Sequence, residues 1–152
     1  MGRTDVVTQW IPASPDRVFA AFTDNQALES WLPPTGMSCR VLELDLRPGG
    51  HLRLLMRYLD ARGAPGKSTA DADIVSSSVL EVVPGVRLVQ AVEFEQAGPE
   101  FVGQMVMTWS AVPAPGGSDV EFRADNVPRG ILEGDHRKGM SDSLAQLAAY
   151  LA

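Results

Sequence analysis

Residues 12–34, PASPDRVFAAFTDNQALESWLPP, read as two short helices set end to end and closed by a proline pair. Ser14 is a favourable N-cap, and Pro15 suits the first helical position because the N–H it lacks would have no partner there. Val18, Phe19 and Phe22 then share one face at helical spacing. Thr23 or Asp24 caps a second helix whose apolar side is Leu28, Trp31 and Leu32. Pro33-Pro34 ends it, since a proline pushes the residue before it out of the helical region. Nearly everything that follows alternates as strands do. Two short helices inserted between a first strand and a long antiparallel sheet leave few arrangements for the chain.

Residues 6–11 are that first strand. Residues 38–46 alternate, with Cys39, Val41 and Glu43 against Arg40, Leu42 and Leu44, and read as a strand. Pro48-Gly49-Gly50 turns the chain. Leu52, Leu54, Met56 and Tyr58 then share one face, with Arg53 and Arg57 on the other, so this hairpin has a dry side and a wet side. Residues 60–69, rich in Gly, Pro and Ala, read as a loop. Residues 72–83 form a long strand closed by Pro84-Gly85, and 87–95 are its partner. After a turn at 96–100, Phe101, Met105, Met107 and Trp109 share a face opposite Gln104, Thr108 and Ser110. Asp119, Glu121, Arg123 and Asp125 are the outward side of a last strand. From Leu132 or Asp135 the spacing turns helical, and His136, Met140, Leu144, Leu147 and Leu151 hold one stripe.

A sheet with one apolar face must cover it, and the C-terminal helix is the only large cover available. A long, twisted sheet does not lie flat on one helix, so it curls. The expectation is one α+β domain over residues 1–152: a curved antiparallel sheet wrapped around a long C-terminal helix, with two short helices after the first strand closing one end. A net charge of −6 argues against nucleic acid or an anionic membrane as partner. The single cysteine, Cys39, allows no intrachain disulfide, which fits a reducing cytoplasm. The first residues lack the apolar run of a signal peptide, and no stretch reaches transmembrane length. A cytoplasmic protein is expected.

The arrangement resembles the helix-grip fold of the SRPBCC, or START-like, superfamily, and within it the branch named after the activator of heat-shock-protein-90 ATPase. Its carriers are Ile11-Pro12-Ala13-Ser14-Pro15 with Val18-Phe19, then Phe22-Thr23-Asp24, then Trp31 before the prolines. Pro48-Gly49-Gly50 stands at the family's Gly-rich turn. Val79-Leu80-Glu81-Val82-Val83-Pro84 and Arg87-Leu88-Val89 are similar to its central hairpin. Asp135-His136 with Gly139-Met140 resembles the start of its last helix, although the family usually has Trp in place of Met140. The resemblance spans essentially the whole chain and implies a cavity between sheet and helix. It says little about function, because the superfamily hosts carriers, receptors, cyclases and co-chaperone domains.

Phosphate loops, dinucleotide fingerprints, nucleophile elbows, paired metal cysteines and zinc-protease helices are all missing from the sequence. No cofactor, metal or catalytic set is implied. Of the two histidines, His51 beside its Gly-Gly turn reads as a solvent-facing strand residue. His136 sits on the helix stripe that faces the sheet, either as a first-turn residue or as a neutral functional imidazole. Asp71-Ala72-Asp73 is a polar strand edge unless phosphate or further carboxylates complete a magnesium site. Glu93 and Glu95 repeat with the period of a solvated sheet face. Cys39 has no cationic neighbour in sequence and reads as a small buried or half-buried residue.

Methionine deforms to suit irregular apolar cavities, and Trp or Tyr brings a polar tip to orient a ligand. The candidate walls of a cavity are Trp31, Met56, Tyr58, Phe94, Met105, Met107, Trp109, His136, Met140 and Leu144. The expected activity is non-catalytic binding of a small hydrophobic molecule between the sheet and the C-terminal helix. A polyketide cyclase or dehydratase using the same cavity is the second expectation, with His136 and Tyr58 as its acid–base candidates. A co-chaperone-type interaction module is the third; the co-chaperones of this resemblance carry a separate amino-terminal chaperone-binding domain, for which this chain has no room. A homodimer is compatible with the sequence, which specifies no patch for one.

Overall fold

The computed structural model describes residues 2–59, 72–94, 98–101 and 103–152. The loop expected at 60–69, together with Asp71, Glu95 and the side chain of Phe94, lies outside the described residues. The chain runs β1 (Arg3–Ile11), α1 (Pro15–Phe22), α2 (Asn25–Trp31), β2 (Met37–Leu44), β3 (His51–Tyr58), β4 (Ala72–Val83), β5 (Arg87–Phe94), β6 (Met105–Ala114), β7 (Gly117–Val127) and α3 (Glu133–Tyr150). All seven strands form one curved antiparallel sheet in the order β1-β7-β6-β5-β4-β3-β2. The chain therefore meanders from β2 to β7, and β1 closes against the last strand. This is the helix-grip fold.

The two short helices form for the reasons their sequence implies. Ser14 Oγ accepts the Arg17 N–H at 3.3 Å, and Asp24, not Thr23, caps α2 by accepting the Ala27 N–H at 2.9 Å. The proline pair leaves the last carbonyls of α2 without intrahelical donors, and α3 supplies them. Ser143 Oγ donates to the Leu32 carbonyl at 2.6 Å, and Gln146 Nε2 donates to the carbonyls of Trp31 at 2.9 Å and Pro33 at 2.5 Å. At the far end, Arg17 donates to the carbonyl of Leu151 at 2.9 Å. Met140, Ser143, Leu144 and Leu147 form the buried face of α3, which packs on β1, β7 and α2.

Two local readings of the sequence are corrected. Strict alternation would put Leu42 and Leu44 on the same face of β2. A bulge between Val41 and Glu43 resets the register, so Leu44 packs inward against the core while Leu42 is 45% exposed. Phe101 does not begin a strand: Pro99–Phe101 is a short 3-10 helix, and Gly103, at φ +112, turns the chain before β6 starts at Met105. β2 is an edge strand, and the Glu29 carboxylate accepts its Val41 N–H at 2.8 Å. That bond blunts part of an edge that would otherwise invite pairing.

The core is centred on four rings. Phe22, Trp31, Trp109 and Phe122 contact one another with centroids between 5.3 Å (Trp31–Trp109) and 6.2 Å (Phe22–Phe122). Trp31 is 0% exposed, and its indole N–H donates to the Ala21 carbonyl at 2.9 Å. The short helices thus do more than close an end: Phe22 from α1 and Trp31 from α2 fill the space between the sheet and α3.

Candidate ligand cleft and the Asp5–His136 pair

Asp5 lies on the inward face of β1, with Val7 and Ile11. It is fully buried, and a carboxylate there needs partners. Arg3 Nε donates to its Oδ1 at 3.0 Å, and His136 Nδ1 lies 2.8 Å from its Oδ2. Burial alone would raise the Asp5 carboxyl. Hydrogen bonds and charge from Arg3 and His136 outweigh it and hold the group below the ordinary carboxylate range. An ionised Asp5 can only accept, so His136 carries a proton on Nδ1 and donates it to the carboxylate. The His136 side chain is 15% exposed.

His136 forms one wall of a cleft of about 470 Å³, a volume in the range of small-molecule sites. β3 and β4 supply Met56, Tyr58, Asp73 and Val75; Pro34 comes from the segment after α2 and Met37 from the start of β2; Gly130, Ile131 and Leu132 precede α3, and Asp135 lies in its first turn. The lining is mostly apolar. Its polar groups are Tyr58, Asp73, Asp135 and the imidazole.

Of the ten side chains expected to line a cavity, Met56, Tyr58 and His136 meet here. Trp31, Met105, Trp109, Met140 and Leu144 are buried members of the core cluster, and Met107 is a half-buried residue packed against it. None of these six lines the cleft. The expected cavity between Trp109 and Met140 is a packed interior, because α1 and α2 insert their aromatic rings into it. Phe94 lies outside the described side chains.

Asp5 is the functional candidate that sequence reasoning missed, while Asp73 stands in the sequence only as half of a strand-edge or magnesium pair with Asp71, not as a wall of this cleft. Both carried a usable signal. Asp73 shares parity with Val75 and Val79, and Asp5 shares parity with Val7 and Ile11, so each is a charge on an inward face. Asp73 is 2% exposed and is no strand edge. His51 is exposed, as expected. Cys39 is half-buried, and burial, with the Glu29 charge adding to it, pushes its thiol up to about 12, so it is no nucleophile at neutral pH. Among the described residues, no three His, Cys, Asp or Glu side chains gather as a metal ion would need. Nor is any described helix long and apolar enough to cross a membrane.

Comparison with known proteins agrees with this architecture. The family model described as Activator of Hsp90 ATPase homolog 1-like protein matches residues 12–152. The crystal structure of protein CV1439 from Chromobacterium violaceum is similar at 33% identity and a TM-score of 0.86, covering 97% of this chain and 96% of that one. Protein Ms6760 from Mycobacterium smegmatis shares the fold at 19% identity and a TM-score of 0.78, over 97% of this chain and 90% of that one. DynU16, a putative protein in the dynemicin biosynthetic locus, also shares it, at 19% identity and a TM-score of 0.69; 97% of this chain matches 46% of that one. No curated protein matches the sequence. By the extent of the family match and by its likeness to CV1439, the chain belongs to the Activator of Hsp90 ATPase homolog 1-like family.

Proposed function

We propose that this protein binds a small, largely apolar molecule in the cleft between β3, β4 and the first turn of α3. One observation carries the reading: about 470 Å³ of mostly apolar space is bordered by a histidine whose orientation a buried carboxylate sets. The methionines adapt to the ligand body, and Tyr58 and His136 give it polar points of orientation. Filling the cleft tests this. Val75→Trp keeps a β-favouring residue on β4 and places a large ring in the space. Calorimetry with 2-naphthylmethanol should show binding to the wild type and a loss of at least about tenfold in the variant, well within what one filled pocket removes. Undiminished affinity in a folded Val75→Trp protein would put the ligand elsewhere.

The Asp5–His136 pair favours a second reading, proton transfer. An imidazole held in one tautomer by a buried carboxylate is the arrangement of a general base. His136 Nε2 would take a proton from the carbon next to a ligand carbonyl and return it. The measurement is deuterium uptake from heavy water by 2-tetralone, followed by NMR. Under this reading the wild type accelerates exchange, and His136→Gln abolishes about 10²–10⁴-fold of that acceleration. Equal exchange in both proteins leaves binding without chemistry.

A further inference from the structure

Asp5 holds a second group besides His136. Arg3, two residues before it on β1, donates from Nε to both carboxylate oxygens, at 3.0 and 3.2 Å. Its Nη2 is buried and has no acceptor. Among the described residues the guanidinium therefore hydrogen-bonds to Asp5 alone. Arg3 is not part of the cleft wall, whereas His136 is. One fully buried carboxylate thus joins a cation outside the cleft to the imidazole that borders it.

We propose that Arg3 is a positioning residue for the cleft: it fixes the Asp5 carboxylate against His136 and restrains the ring from taking a second proton. A buried carboxylate needs a compensating charge, and arginine supplies one that does not titrate in the working range. With Arg3 in place, a second proton on His136 would set two cations on one carboxylate. Without it, the carboxylate would draw its compensating proton onto the ring. The relevance to ligand rests on the binding reading above, because the ring's charge then faces whatever the cleft holds. The other ionisable groups near His136 are Tyr58 from β3, Asp73 from β4, and Glu133 and Asp135 from its own helix, where Glu133 pairs with Arg137 at 3.0 Å. Arg137 also donates to the Val6 carbonyl of β1. All of these are kept in the variants below.

Nitrogen-edited NMR of the His136 ring across pH, with no ligand present, tests the proposal. Arg3→Gln keeps a polar side chain and a donor but loses the charge. It should raise the ring's titration midpoint by on the order of one pH unit. Arg3→Lys keeps the charge and should return the midpoint to near the wild-type value. In the wild type, the Arg3 Nε–H signal should move with the same midpoint as the ring, since both groups bond one carboxylate. A wild-type midpoint in folded Arg3→Gln, or equal shifts in the Gln and Lys variants, overturns the proposal. So does a wild-type Nε–H signal that stays still through the ring's titration, a result that needs no variant to fold. These outcomes involve no ligand, so they are separate from those that test the binding reading.

Discussion

Replacing Trp31 with alanine should remove about 3–5 kcal/mol of stability, the usual range for deleting a fully buried aromatic ring. In a chain of this length that is a fall of roughly 6–20 °C in melting temperature. The side chain is 0% exposed and touches Phe22, Trp109 and Phe122. Its removal takes away the central ring of the cluster and leaves the Ala21 carbonyl without its donor. Trp31→Phe separates these effects: it retains ring contacts but loses the hydrogen bond, and should cost about 1–3 kcal/mol. Urea denaturation measures both. A loss below about 1 kcal/mol in Trp31→Ala would mean that the ring borders a void, since a side chain facing a cavity makes fewer contacts to lose.

Asp5→Ala should be the second most damaging change, at about 3 kcal/mol at neutral pH, because it strips Arg3 and His136 of the buried carboxylate both contact. The pH dependence has a definite sign. The folded-state pKa of Asp5 is depressed, so its contribution is complete above the unfolded carboxylate range and is lost as pH falls through the folded value. The stability difference between the wild type and Asp5→Asn should therefore be largest near neutrality. It should shrink on acidification below about pH 4, where an ordinary aspartate takes up its proton. Equilibrium denaturation of the two proteins across that range tests this. A difference that grows on acidification below pH 4 would remove the pair from the account.

The fold was legible because its signals repeat along the chain. Capping residues, a proline pair, alternating strands and one helical stripe agree with each other, and few architectures accommodate all of them. The departures came where one residue breaks a period. Nothing in the alternation around Leu42 announces the bulge that turns it outward. Gly103 ends the pattern that makes Phe101 read as a strand residue. The site was harder to read for a different reason. Trp31, Trp109 and Met140 have the composition of either a cavity wall or a packed core, and the choice depends on how deeply α1 and α2 insert. That depth is set by contacts across the chain, such as Gln146 with Trp31 and Pro33. The Asp5–His136 pair joins residues 131 positions apart, so no local pattern holds it. Its trace was a polar, titratable residue at an inward position on each of two elements.

On the binding reading proposed above, ligand enters beside His136 and leaves the aromatic cluster untouched. Titration with 2-naphthylmethanol, followed through methyl, imidazole and indole N–H chemical shifts, tests it directly. The account predicts large shifts at Met37, Met56, Val75, Ile131 and His136, with the indole N–H signals of Trp31 and Trp109 nearly still. Shifts centred on Trp31, Trp109 and Met140, with His136 unmoved, would contradict it.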